Sequence, residues 1–408
     1  MKKYLITLAI LFLAISSFGQ SFTETKLKAE QGGIYAQYNL GVMYANGEGT
    51  LKDLKQAFYW FKKSAEQGFA NAQYYLGNMY YDGEGTLKDL KQAFYWYKKS
   101  AEQGYAKAQF NLGLLYDKGE GTLKDKKQAF YWYKKSVERG HDEAQFFLGG
   151  MSYHGIGTLK DLNQAFYWFK KSAEQGDAYA QYYLGVMYSK GEGTLKDLKQ
   201  AFYWYKKSAE KGRADAQYSL GVMYDFGEGT LKDLNQAFNW YKKSAEQGHA
   251  SAQYNLGLMY NYGEGTLKDL NQAFYWYKKS AEQGYAKAQY NLGNKYANGE
   301  GTLKDLKQAF SWYKKSAEQG VAKAQYNLGV MYYTGKGILK DLKQAFYWCK
   351  KSAEQGYAKA QYYLGLMYFN GEGTLTNKKQ AKYWMKKAYK NGNQKAEGIW
   401  NDLELWKY

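Results

Sequence analysis

The sequence predicts an all-α chain, a helical-hairpin solenoid of ten 36-residue helix-turn-helix repeats. Three observations carry this reading. Tryptophan recurs every 36 residues, at Trp60, Trp96, Trp132, Trp168, Trp204, Trp240, Trp276, Trp312, Trp348 and Trp384. Glycine fills the columns of Gly41, Gly47, Gly49 and Gly68 in all ten copies, which accounts for 40 of the 45 glycines. Within each period two helical patterns alternate. A unit this short cannot bury its apolar face alone, so neighbours must stack. The chain has 408 residues and no proline, so glycine must make the turns. Length alone would suggest two or three globular domains, but the repetition replaces that division. The expected organisation is a partial repeat over 20–35, ten repeats over 36–395 and a C-terminal capping helix over 396–408.

The first residues are expected to lie outside the array. Lys2 and Lys3 precede an apolar run from Tyr4 to Ile15, followed by Ser16-Ser17-Phe18-Gly19-Gln20. A basic start, a short apolar core and small residues before a cut describe a secretory signal peptide over residues 1–19. The run is shorter than the roughly 20 apolar residues of a comfortable membrane span; an uncleaved signal anchor is the alternative. No cysteine follows, which excludes lipidation there. Cleavage before Gln20 removes Lys2 and Lys3 and takes the net charge from +19 to +17. This reading places the mature chain outside a bacterial cytoplasm, in the periplasm or beyond the cell.

The first helix of the founding repeat is expected from about Ala36 to Ala45. It is apolar nearly all round, with Ala36, Leu40, Met43 and Tyr44 on one side and Tyr38 and Gly41 on the other. Such a helix is sandwiched between neighbours. Gly41 costs roughly 1 kcal/mol of helix propensity relative to alanine, so its presence in every copy implies close approach by a neighbouring helix. Gly47-Glu48-Gly49-Thr50-Leu51-Lys52 makes the connection. In the second helix, Leu54, Ala57, Phe58, Trp60, Phe61, Ser64 and Ala65 cover about 160° of arc. Asp53 is the N-cap, with Gln56 completing a capping-box-like pair. Gly68 is the left-handed C-terminal glycine, and Lys62 and Lys63 suit the negative end of the helix dipole.

The run Ala-Gln-Tyr-x-Leu-Gly-x-Met-Tyr-x-x-Gly-x-Gly, then Asp-x-x-Gln-Ala-x-x-Trp-x-x-Lys-x-Ala-Glu-x-Gly, closely resembles the Sel1-like repeat. It is carried by Ala72, Leu76, Gly77, Tyr80, Gly83, Gly85, Asp89, Ala93, Trp96, Lys99, Ala101, Glu102 and Gly104 and their equivalents in all ten units. The resemblance implies an α/α superhelix similar to tetratricopeptide arrays, acting mainly as a protein-interaction scaffold. Bacterial members of that family are often exported and linked to the cell envelope or to host interactions. A cysteine-rich branch is associated with β-lactamase-like or penicillin-binding activity, but this chain lacks its paired cysteines. Thr86-Leu87 stands where the family often has a loop proline.

No catalytic constellation, cofactor site or metal site emerges. One cysteine, Cys349, excludes an intramolecular disulfide and a multi-cysteine metal site. It occupies the column of the aromatic Phe61, as a small core residue rather than a nucleophile. His141 and His154 flank one first helix roughly 20 Å apart, too far to share a metal, and His249 occupies a bland surface column. The Gly-x-Gly loops follow no strand and enclose Glu in eight copies, with Ile156 and Lys336 the exceptions, so they read as turns rather than phosphate cradles. A β-lactamase-like hydrolase would need a nucleophile–base pair that is not visible.

Two faces are candidate binding surfaces. The second helices carry a ladder of tyrosines and lysines, beginning with Tyr59, Lys62, Tyr95, Lys98, Tyr131 and Lys134. It suits an anionic envelope glycan, or else is a solvated face with rings on lysine stems. Nucleic acid fits the charge but not an exported protein. The first helices carry the columns that change between copies, those of Tyr35, Asn39 and Asn46. The middle one reads Asn39, Tyr75, Asn111, Phe147, Tyr183, Ser219, Asn255, Asn291, Asn327 and Tyr363. Positions 35, 39, 42 and 46 form one helical stripe, which by resemblance would line a concave surface and hold a protein or peptide. Neutral drift among young duplicates is the competing explanation. The leading expectation is a non-enzymatic, exported interaction scaffold.

Overall fold

In the computed structural model the described residues are 21–396, and they contain helices and turns without a strand. The signal-peptide segment and nearly all of the expected C-terminal capping helix lie outside them. A helix over 21–30 precedes ten helix pairs, from Ile34–Asn46 and Leu54–Glu66 to Ala358–Asn370 and Lys378–Lys390. The chain divides into two compact units after Ala201. Inside each, a first helix packs against its own second helix and against the second helix before it. The fold is a solenoid of repeated hairpins.

The second helix begins where its cap dictates. Asp53 Oδ1 accepts from the N–H groups of Lys55 and Gln56 at 2.9 and 3.0 Å. Only half of the expected capping box forms, because the Asp53 N–H donates instead to the Tyr44 carbonyl at 2.9 Å. The same bond ties loop to first helix in later copies, as from Asp89 to Tyr80 and from Asp125 to Tyr116. Gly68 has φ +98°, and the Phe69 N–H reaches back to the Ser64 carbonyl.

The first helix starts two residues earlier than expected, at Ile34 rather than Ala36. Gly33 at its N-cap offers no side-chain oxygen, so the usual start signal is missing there. The close approach at Gly41 comes from a ring: a Cβ there would lie 2.7 Å from the Phe61 ring. Tyr97, Tyr133, Phe169, Tyr241, Tyr277 and Tyr313 cover the equivalent glycines in the same way. Gly85 serves a different contact. It holds φ +68°, and a Cβ would lie 2.1 Å from the Leu54 carbonyl oxygen of the preceding repeat.

Buried glutamines join the repeats, a feature the hydrophobic pattern hides. Gln37 is 5% exposed; its Nε2 donates to the Ala29 carbonyl at 3.1 Å and its Oε1 accepts from Gln67 at 2.7 Å. The chain recurs at Gln73, with Ala65 and Gln103, and at Gln253, with Ala245 and Gln283. At these three positions both ends of the buried amide are satisfied inside an apolar stack.

Candidate functional site

The changing columns of the first helices separate into a half-buried and an exposed set. Apart from Asn39, which is exposed, residues in its column are half-buried against the second helix of the preceding repeat. Tyr75 stacks on Phe61 with centroids 5.3 Å apart at 13°, Tyr183 on Phe169 at 5.0 Å and 7°, and Phe147 on Tyr133 at 5.1 Å and 27°. Where the second-helix ring carries a hydroxyl, the partner is usually polar. Asn111, Asn255, Asn291 and Asn327 face Tyr97, Tyr241, Tyr277 and Tyr313, whose phenol pKa values burial drives strongly upward and these amides pull back down. Cys349 has no ring, and Tyr363 packs against its cluster. Variation along this column therefore follows the core residue beneath it. Ser219 bonds its own helix, through its hydroxyl to the Asp215 carbonyl at 2.9 Å.

The outer columns are different. Among the described residues, the large apolar side chains exposed on first helices are Tyr35, Tyr179, Phe226 and Tyr262, all from the columns of Tyr35 and Asn46. The column of Ala45 also varies and was not singled out by the sequence reading. There Tyr81, Tyr153 and Tyr333 donate to Glu120, Glu192 and Glu372 in the next repeat's Gly-x-Gly loop, at 3.0, 2.6 and 2.9 Å. One charged residue enters the core itself. Lys295 replaces the usual methionine and is 4% exposed; its Nζ donates to Glu300 at 2.7 Å and also to Asn261. The signal for both was a column that breaks its own rule.

On the second helices, Tyr59, Tyr95 and Tyr131 are 46–47% exposed. Their faces meet lysines one turn on: Lys63, Lys99 and Lys135 lie 5.7, 5.3 and 5.9 Å from the ring centroids. Lys62 and Lys98 approach Glu66 and Glu102 at 3.9 Å. Lys134 lies beside a cavity near Ser152. Where tyrosine is missing, at Asn239 and Ser311, Lys243 and Lys315 move over Trp240 and Trp312 at 4.1 and 4.2 Å. The ladder is an exposed basic and aromatic strip whose cations already sit on rings or beside carboxylates.

His249 is a helix cap: its Nδ1 accepts the Ala252 N–H at 3.2 Å, and its ring stacks on Tyr218 at 4.7 Å. His141 stands edge-on to Phe110 at 4.9 Å, and His154 ends its helix exposed. Burial pushes the Cys349 thiol up to about 12. Among the described residues no group of three or more His, Cys, Asp or Glu could hold a metal ion.

The Sel1 repeat model matches ten consecutive segments, from 34–69 to 358–393. The chain belongs to the Sel1 repeat family. Similar solved structures include c5321, a protective antigen of uropathogenic Escherichia coli strains with an SLR fold. It is 37% identical, with a TM-score of 0.71 over 95% of this chain and 91% of that one. A Sel1 repeat protein from Oxalobacter formigenes is 34% identical, with a TM-score of 0.57 over 75% of this chain and 89% of that one. The search of curated proteins gave no match. Sel1 repeat arrays are general protein-interaction scaffolds and generally non-enzymatic, and they bind other proteins.

Proposed function

We propose that this Sel1 repeat protein is an exported, non-enzymatic scaffold that holds a protein or peptide against the first-helix faces of its units. One observation carries the reading: exposed aromatics on first helices fall only in the columns that change between repeats. Tyr35 and Phe226 are 66% and 70% exposed, large rigid contact surfaces of the kind that dominate protein interfaces. The column of Asn39, half-buried from Tyr75 to Tyr363, forms the wall beside them. Export rests on the basic-then-apolar start of the sequence, and an envelope location agrees with it.

The test is capture from envelope extract by the full mature chain and by a Y35S/Y179S/F226S/Y262S variant. The expected result is loss of the captured partner with an unchanged melting midpoint. Undiminished capture overturns the reading. A second reading, an anionic glycan on the Tyr59–Lys62 strip, has the strip's exposure in its favour. It requires binding to purified envelope polymer that weakens steeply as salt rises.

A further inference from the structure

Nine tyrosines occupy one slot in this array. Tyr44, Tyr80, Tyr116, Tyr188, Tyr224, Tyr260, Tyr296, Tyr332 and Tyr368 each meet a phenylalanine of the preceding second helix edge-on. Their centroids are 5.2–5.4 Å apart at 83–87°. Each ring is half-buried, so the slot opens to solvent at one end. The capping aspartate bonds this tyrosine's backbone, as the Asp89 N–H does to the Tyr80 carbonyl at 2.8 Å. Burial first, then the charges of that aspartate and of a glutamate of the repeat before, raise the phenol pKa in six of these repeats.

The fourth repeat breaks the series with Ser152, which is 2% exposed. A cavity of about 290 Å³ takes the place of the ring. Phe130, Leu148 and Trp168 form its apolar walls, and Lys134, Asp161 and Gln164 supply polar groups. Phe130 stands where Phe58 faces Tyr80, and Asp161 where Asp89 caps its helix; the Asp161 N–H donates to the Ser152 carbonyl at 2.9 Å. An enclosed apolar cavity on the order of 150 Å³ admits benzene; this one has room for such a ring and opens on the side of Lys134, Leu159, Asp161 and Gln164, which are exposed. Other departures lie close to it in sequence: Gly150, His154 and Ile156 each interrupt a column that the other repeats fill differently.

We propose that the Ser152 slot binds a p-hydroxyphenyl group. The ring lies edge-on to Phe130, as the protein's own tyrosines are placed in the neighbouring repeats, and its hydroxyl donates to the Asp161 carboxylate. Two sources carry this chemistry, a free alkylphenol and the tyrosine side chain of a bound peptide. The site is separate from the first-helix face and does not depend on what that face holds.

The experiment is titration calorimetry of the full chain with 4-ethylphenol. Saturable binding at one site per chain is expected, with weaker binding of ethylbenzene, which lacks the hydroxyl. S152Y fills the slot from within and should abolish binding while raising the melting midpoint. Y188S should open a second slot and raise the stoichiometry from one to two, an arm that does not depend on S152Y folding. Competition by an amide-capped Gly-Tyr-Gly peptide identifies a partner's tyrosine as able to enter; its failure to compete leaves a free phenol as the source. Absence of saturable binding, or S152Y binding like the parent chain, overturns the proposal.

Discussion

Tyr97 and Tyr133 fill the same column and cover the same kind of glycine, yet their hydroxyls meet opposite surroundings. Tyr97 donates to Asn78 at 2.7 Å. The Tyr133 hydroxyl is buried against Phe147 with no hydrogen-bond partner. An unpaired buried hydroxyl costs about 1–3 kcal/mol, whereas a made hydrogen bond contributes about 1. Tyr97→Phe should therefore lower the melting midpoint and Tyr133→Phe should raise it. Thermal melts of the two variants check the opposed signs. At Cys349 the thiol is 1% exposed and its pKa is pushed up to about 12 by burial. A thiol reagent should label it only after unfolding; rapid labelling of the native chain would contradict that burial.

At the scale of one element, caps and glycines set the boundaries and can be ranked. Gly85→Ala forces a Cβ onto the Leu54 carbonyl and also strains φ +68°, whereas a Cβ at Gly248, φ +92°, meets nothing within 4 Å. The left-handed conformation alone costs about 1–2 kcal/mol, so G85A should destabilise more than G248A in denaturant titrations. The cap at His249 depends on pH. Burial holds its pKa below 6.5 against the pull of Asp215, and burial holds His141 below it too. The unfolded chain then takes up protons that the folded one refuses. Stability is full above the unfolded value of about 6.5 and is lost as pH falls below it. His249→Asn supplies a cap that does not titrate in this range, so it should flatten the decline in melting midpoint, leaving the share due to His141. The second helix was legible because its cap, apolar arc and final glycine all speak at once. The first was displaced by two residues because Gly33 carries no oxygen to announce it.

Over the whole molecule, period and glycine columns made the repeats legible, but pairings between repeats were not. The partnership of Asn111 with Tyr97 joins residues 14 apart on different repeats, and a helical wheel of either element alone cannot see it. The Ser152 slot is readable only by comparing copies, since one serine in a helix signals nothing. Leu51 and its nine equivalents illustrate the converse: invariant in sequence, they are 87–89% exposed and outside the core. Replacing Leu231, Leu267, Leu303, Leu339 and Leu375 by Ser should change stability by no more than about 0.5 kcal/mol per site, as equilibrium unfolding would report. The glutamine chain has a further consequence. Arg139 replaces the glutamine that would donate to Gln109, whose Oε1 is left without a partner, and Gln145 turns its Nε2 to Asp142 at 2.7 Å while its own Oε1 is also unpartnered. With Tyr133, three unpartnered polar groups fall on three consecutive helices, Ala106–Lys118, Lys126–Glu138 and Ala144–His154. A stack held only by nearest neighbours comes apart at its weakest joint. Amides of residues 142–154 should exchange with deuterated water sooner than those of 250–262, making this junction the zipper's pull-tab from which the first unit opens.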